Sequence, residues 1–184
     1  GVISTTESMD NWECLRLWSA DDANLPSADA VGRIRDIELS YFDTYEGIPY
    51  EIKYLKYLET LSLYGNVNTM IKAIDLGEEI CTLEHLKALR VAAFGLASLP
   101  ESFKNLGDTL EDLDISSNNF VGIPEVITED NFPHLKSLDL TANRRAMISD
   151  LRNAASSSEG IGIHHNTATD DALERLFLWE NLEA

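Results

Sequence analysis

The 184-residue chain carries 32 acidic and 14 basic residues, a formal net charge of −18, with an ordinary 44% hydrophobic content. A field of that sign repels nucleic acid and anionic membranes, whose capture needs clustered Lys and Arg; the longest basic cluster here is Arg144-Arg145. Two cysteines, Cys14 and Cys81, make neither a disulfide framework nor a CxxC zinc site, and no apolar run approaches the roughly 18 residues of a membrane span.

Residues 1–11 read as a tail entering an N-terminal cap over 9–17, with Trp12 covering the first core layer. Trp12, Leu15 and Leu17, with Ala20 three residues on, form a degenerate first copy of a spacing that then recurs. The second copy is Ile34, Ile37, Leu39 and Phe42. The third, Leu58, Leu61, Leu63 and Asn66, spells LxxLxLxxN. The fourth is Leu86, Leu89, Val91 and Phe94. The fifth and sixth, Leu110-Leu113-Ile115-Asn118 and Leu135-Leu138-Leu140-Asn143, restore the Asn. Apolar-Pro pairs accompany four copies: Leu25-Pro26, Ile48-Pro49, Leu99-Pro100 and Ile123-Pro124. The units so defined are 12–33, 34–57, 58–85, 86–109, 110–134 and 135–181, and residues from 182 begin another. All but the last fall in the repeat window of about 20–29 residues.

Within each LxxLxL the last two apolar positions alternate along a short strand and point one way. Stacked units place these strands in a parallel sheet over a continuous apolar column, because no unit buries its apolar face alone. Each Pro fixes φ and turns the chain toward the opposite side. The segments there, such as 51–57 and 78–85, should be short helices.

The last unit is long. It contains Ser156-Ser157-Ser158 and Gly160-Ile161-Gly162-Ile163, a permissive surface loop or a binding insertion. A helix over 170–181, with Thr169 as N-cap, would follow. Leu176, Trp179 and Leu182 have the spacing that opens a new frame. Either more repeats follow Ala184, in which case an open sheet edge invites end-to-end dimers of an otherwise monomeric chain, or this helix is the C-terminal cap.

These agreeing frames resemble the leucine-rich-repeat family over about nine tenths of the chain, with mixed repeats similar to those of secreted bacterial members and a plant-type stretch from Ile34 to Asn66. The resemblance implies an α/β solenoid: a right-handed β-α superhelix, horseshoe-shaped, with a parallel concave sheet. It implies that Asn66, Asn118 and Asn143 bond loop backbone along the stack. Phe42 and Phe94 should instead fill core space and interrupt that ladder. It also implies a non-catalytic protein- or peptide-binding scaffold, extracellular or on the cell surface. The chain begins at Gly1, so the lack of an export signal in this stretch does not argue for the cytoplasm.

Ligand would lie on the concave face. Trp18, Tyr41 and Tyr64, on three successive strands, could form one aromatic patch flanked by Arg16, Asp36 and Glu38. Such a patch would hold a peptide or stack on sugar rings; cross-strand packing of the rings is the competing reading. Farther along, beyond the candidate Arg90, the face is acidic, with Glu111, Asp112, Asp114 and Asp139, and suits a basic partner or is simply solvated. A carbohydrate-binding surface protein and a structural spacer are the alternatives to a peptide scaffold. His164-His165 has no third ligand at metal spacing, and no nucleophile elbow, P-loop or GxGxxG is present. The reading is therefore no enzyme and no cofactor.

Overall fold

The computed structural model describes residues 13–42, 47–66 and 74–143. The main sheet holds six strands in the order β1 (Leu15–Leu17), β2 (Ile34–Phe42), β3 (Thr60–Gly65), β5 (Ala88–Ala92), β7 (Asp112–Asp114) and β8 (Ser137–Asp139). From β2 to β8 every pairing is parallel and the repeat frames align: Ile37, Leu61, Leu89, Leu113 and Leu138 are successive register partners. A second sheet pairs β4 (Ile74–Asp75) with β6 (Leu96–Ser98). The expected short helices are 3-10 turns at Tyr50–Tyr54, Glu78–Thr82 and Glu101–Leu106, entered from Pro49, Gly77 and Pro100. Each is only five or six residues long, the short run in which the 3-10 form is ordinarily found.

Between sheet and turns lies a single apolar column. Leu58, Leu61 and Leu63, then Leu86, Leu89 and Val91, then Leu110, Leu113 and Ile115 are buried in register. The turns close it from the other side with Ile80, Leu83, Phe103 and Leu106, and Phe103 packs on Phe132 with ring centroids 5.5 Å apart. Phe94 is buried in this core, as its place in the Asn slot predicts.

The first unit departs from expectation. β1 runs antiparallel to β2, with Leu15 opposite Ile37 and Leu17 opposite Ile34. The reversal is fixed by backbone bonds: Gly32 N–H donates to Trp18 C=O and Trp18 N–H to Arg33 C=O, both at 2.9 Å. Gly32 has φ of 77°, the left-handed conformation that glycine adopts without steric cost. Residues 13–33 are thus a cap folded back on β2 and not a repeat stacked parallel to it.

Two ladders bind the repeats. Asn118 is fully buried (0% exposed) and saturated. Its Oδ1 accepts from the backbone N–H of Phe94 (3.0 Å) and Leu96 (3.1 Å), and its Nδ2 donates to the carbonyls of Val91, Ile115 and Ser116. Asn143 repeats the pattern one unit on, accepting from Phe120 N–H and donating to Ile115 and Leu140 carbonyls. Phe94 can only receive this service from Asn118; it has no amide to pass on, so the side-chain ladder stops there. The second ladder is ionic. The residue after the first frame position is Arg35, Glu59, Lys87, Glu111 and Lys136 in successive units, so the signs alternate without exception. Glu59 receives Arg35 Nε at 2.9 Å and Lys87 Nζ at 2.8 Å, Glu111 receives Lys136 Nζ at 2.6 Å, and Asp22 of the cap meets Arg35 at 3.3 Å. The backbone joins the same residues, Glu59 N–H to Arg35 C=O and Lys136 N–H to Glu111 C=O among them.

Candidate functional site

The sheet face turned away from the apolar column carries two straight rows of side chains. In one, Arg16, Asp36, Thr60, Ala88, Asp112 and Ser137 are successive register partners. In the other, Glu38, Ser62, Arg90, Asp114 and Asp139 follow each other. Strand alternation puts both rows on the open face because the residues between them are the frame leucines. A shallow depression of about 400 Å³ runs along these rows from Glu38 to Asp139.

The two ends of this face differ in how firmly their charges are held. Asp114 Oδ2 accepts from Arg90 Nε at 2.6 Å while its Oδ1 accepts from Ser116 N–H at 2.9 Å. Asp139 Oδ1 takes the N–H and the hydroxyl of Thr141 at 2.8 and 2.7 Å. These carboxylates are pinned over the ends of their strands. Glu38 and Asp112 are exposed and have no ion pair among the described residues. Arg16 is exposed beside Asp36, and Asp36 approaches Arg35 at 3.9 Å. The face therefore sets Asp36, Glu38, Asp112, Asp114 and Asp139 against Arg16 and Arg90, and Arg90 is neutralised by its own neighbour.

The aromatic patch does not form. Trp18 is 3% exposed: its indole Nε1–H donates to the Tyr57 carbonyl at 2.7 Å, and the Arg35 guanidinium lies 4.6 Å above its ring. Counting Trp18 along a parallel strand placed it on the open face; the antiparallel β1 and the turn after it bury it instead. Tyr41 falls at an irregularity in β2, between Ser40, which pairs with Tyr64, and Phe42, which pairs with Gly65. Its ring, like that of Phe42, lies outside the described residues. Tyr64 is on the open face at 36% exposure, but its register partners are Ser40 and Ala92. The three aromatics are thus not one row. The structure also exposes Tyr50 and Tyr54, which sequence reasoning passed over because they sit in a 3-10 turn; their interleaving with Lys53 was the available signal. Cys81 is buried and burial pushes its thiol above the ordinary value. Among the described residues no three His, Cys, Asp or Glu gather to hold a metal, and no helix is long and apolar enough to cross a membrane. Trp12, His164-His165, the long insertion and the 170–181 helix lie outside the described residues.

With the geometry in place, known proteins can be set beside it. Residues 109–129 match the family model described as Leucine Rich Repeat. A Leptospira interrogans LRR protein of solved structure is similar at 25% identity and TM-score 0.50, over 59% of this chain and 26% of that one. The Arabidopsis thaliana BIR2 ectodomain is similar at 20% identity and TM-score 0.49, over 72% of this chain and 62% of that one. The plant peptide hormone receptor RGFR1, solved in complex with RGF2, is similar at 26% identity and TM-score 0.46, over 59% of this chain and 17% of that one. The chain thus spans about a quarter of the Leptospira protein. No curated protein matches it. Residues 109–129 are a leucine-rich repeat by that match, and the repeat frame, the mostly parallel sheet and the Leptospira structure agree on a leucine-rich-repeat solenoid as the fold.

Proposed function

We propose that the chain is a non-catalytic scaffold that holds a positively charged protein or peptide segment along the open face of its main sheet. The carrying observation is the surplus of carboxylates in the depression between Glu38 and Asp139, where the cation Arg90 is already paired. An extended segment laid across the strands meets a new repeat about every 5 Å. Lysines or arginines along it would reach Glu38 at one end, Asp112 in the middle and Asp139 at the other. Tyr64, at the rim, offers a ring to an apolar side chain of the same segment. The complementary charge steers the approach and sets specificity more than it sets affinity. The reading places the domain outside the cell or at its surface, acting as a monomer, on the resemblance of its mixed repeats to secreted bacterial ones. The test is an array of immobilised peptides graded from net negative to net positive. Signal should rise with positive charge and fall with added salt; retention independent of peptide charge contradicts the reading.

A further inference from the structure

A second cavity, of about 580 Å³, opens at the seam between the cap and the unit that begins at Ile34. Its walls are Asp29, Gly32 and Arg33 on one side and Tyr54, Lys56 and Tyr57 on the other. The size suits a small ligand, since such pockets span about 300–1,000 Å³.

The charge around it runs against that of the molecule. Among the described residues Arg35, Lys87, Arg90, Lys104 and Lys136 are each held by a carboxylate. Arg16, Arg33, Lys53 and Lys56 have no such partner there. Two of those four, Arg33 and Lys56, line the cavity, while Lys53 lies beside it over the rings of Tyr50 and Tyr54, at 5.1 and 5.5 Å. In a chain with more than twice as many acids as bases, cations left without a carboxylate at one place mark a site for an anion that comes from outside.

The aromatic walls are built before any ligand arrives. The Tyr57 ring stacks on His85 with centroids 5.7 Å apart and planes 16° from parallel, and its carbonyl is held by the Trp18 indole. Tyr54 is 66% exposed with Lys53 over one face of its ring, which leaves the other face for a ligand. Preformed walls of this kind lower the ordering cost of binding. Asp29 adds an acceptor, and it also sets a limit: a ligand with several negative charges would meet both Asp29 and the field of the whole chain.

We infer that this seam is a binding site for a carboxylate-bearing sugar, such as a uronic acid residue of a glycan. Each wall meets one part of that ligand. Arg33 and Lys56 take the single carboxylate through charge-assisted hydrogen bonds. The Tyr54 ring takes the C–H face of the sugar, as an amphipathic ring does at wet interfaces. Asp29 accepts from ring hydroxyls. A neutral sugar lacks the first contact and a polyanion is opposed at the third.

Glucuronate is the direct probe, titrated into the isotope-labelled chain at low salt and followed by amide chemical shifts. Shifts should appear in residues 29–34 and 54–57, and glucose should bind about tenfold more weakly, the worth of one hydrogen bond to a charged group. The Arg33→Gln/Lys56→Gln variant and the Tyr54→Ala variant, each checked for an unchanged circular dichroism spectrum, should weaken glucuronate by about the same factor. Arg90→Gln, on the sheet face, should leave it unchanged. Glucose binding as well as glucuronate, shifts confined to other residues, or phenylacetate binding where glucuronate does not would each overturn the assignment.

Discussion

Ala93, Ser117 and Ala142 have φ of 58°, 56° and 53°. All three occupy the same frame position, immediately before the Asn or Phe slot, where the chain leaves its strand. A side chain there costs roughly 1–2 kcal/mol relative to the right-handed conformation, and only glycine escapes it. Ala142 is exposed, so replacing it removes no core contact. Ala142→Gly should therefore stabilise the domain by up to about 1 kcal/mol in chemical denaturation, against the usual sign of an Ala→Gly change. Asn118 sits next to Ser117 and acts in the opposite sense. Its removal takes away the buried acceptor of the Phe94 and Leu96 N–H groups and the donor to three buried carbonyls. Asn118→Ala should cost about 3 kcal/mol or more in the same measurement, well beyond an average substitution. The role of Asn118 was legible from its frame position through the leucine-rich-repeat resemblance. That of Trp18 was not: the frame says where a leucine lies along a strand, but nothing in it says which way the first strand runs.

At the scale of elements, the repeat spacing located the main-sheet strands β2, β3, β5, β7 and β8 and the short helical turns between them, because each LxxLxL is a local signal repeated five times; the second sheet of β4 and β6 lies outside that frame and was not foreseen. The alternating ionic ladder escaped notice because its members are about 24 residues apart and each reads as an ordinary surface charge. Stacking in register brings Arg35, Glu59, Lys87, Glu111 and Lys136 into one column, where like neighbours would repel. The ladder has a pH signature at Glu111. The hydrogen bond from Lys136 holds its carboxyl below the ordinary value of 4.5, against the opposing cost of desolvation and with the charges of Lys136, Lys87 and His134 acting in the same sense. A carboxylate whose folded value is depressed contributes stability at pH above its unfolded value and loses it as pH falls through the folded one. From about pH 5 down to about pH 3 the native chain should thus lose more stability than Glu111→Gln, which has no proton to take up. Equal losses in the two, followed by thermal unfolding across that range, would show that the Lys136 contact contributes nothing.

For the whole molecule, charge is sorted rather than spread. The open sheet face collects Asp36, Glu38, Asp112, Asp114 and Asp139, while Arg33 and Lys56, cations without an ion pair among the described residues, line the cavity at the cap seam. Composition alone announced a preference for cationic partners; only the register showed that the acidic positions of separate repeats fall into two rows beside one depression. The aromatic half of the expected site dissolved because Trp18, in the reversed cap, is buried. Glu38 and Asp112 are suited to a decisive change, since both are exposed and neither is part of an ion pair among the described residues. The most direct measurement is a fluorescence anisotropy titration of a short lysine-rich peptide with the native chain and with Glu38→Lys/Asp112→Lys. The native chain should bind, and the reversed face should bind about tenfold or more weakly, with the difference shrinking as salt is raised. Equal affinity for the two chains would contradict a cationic ligand on this face.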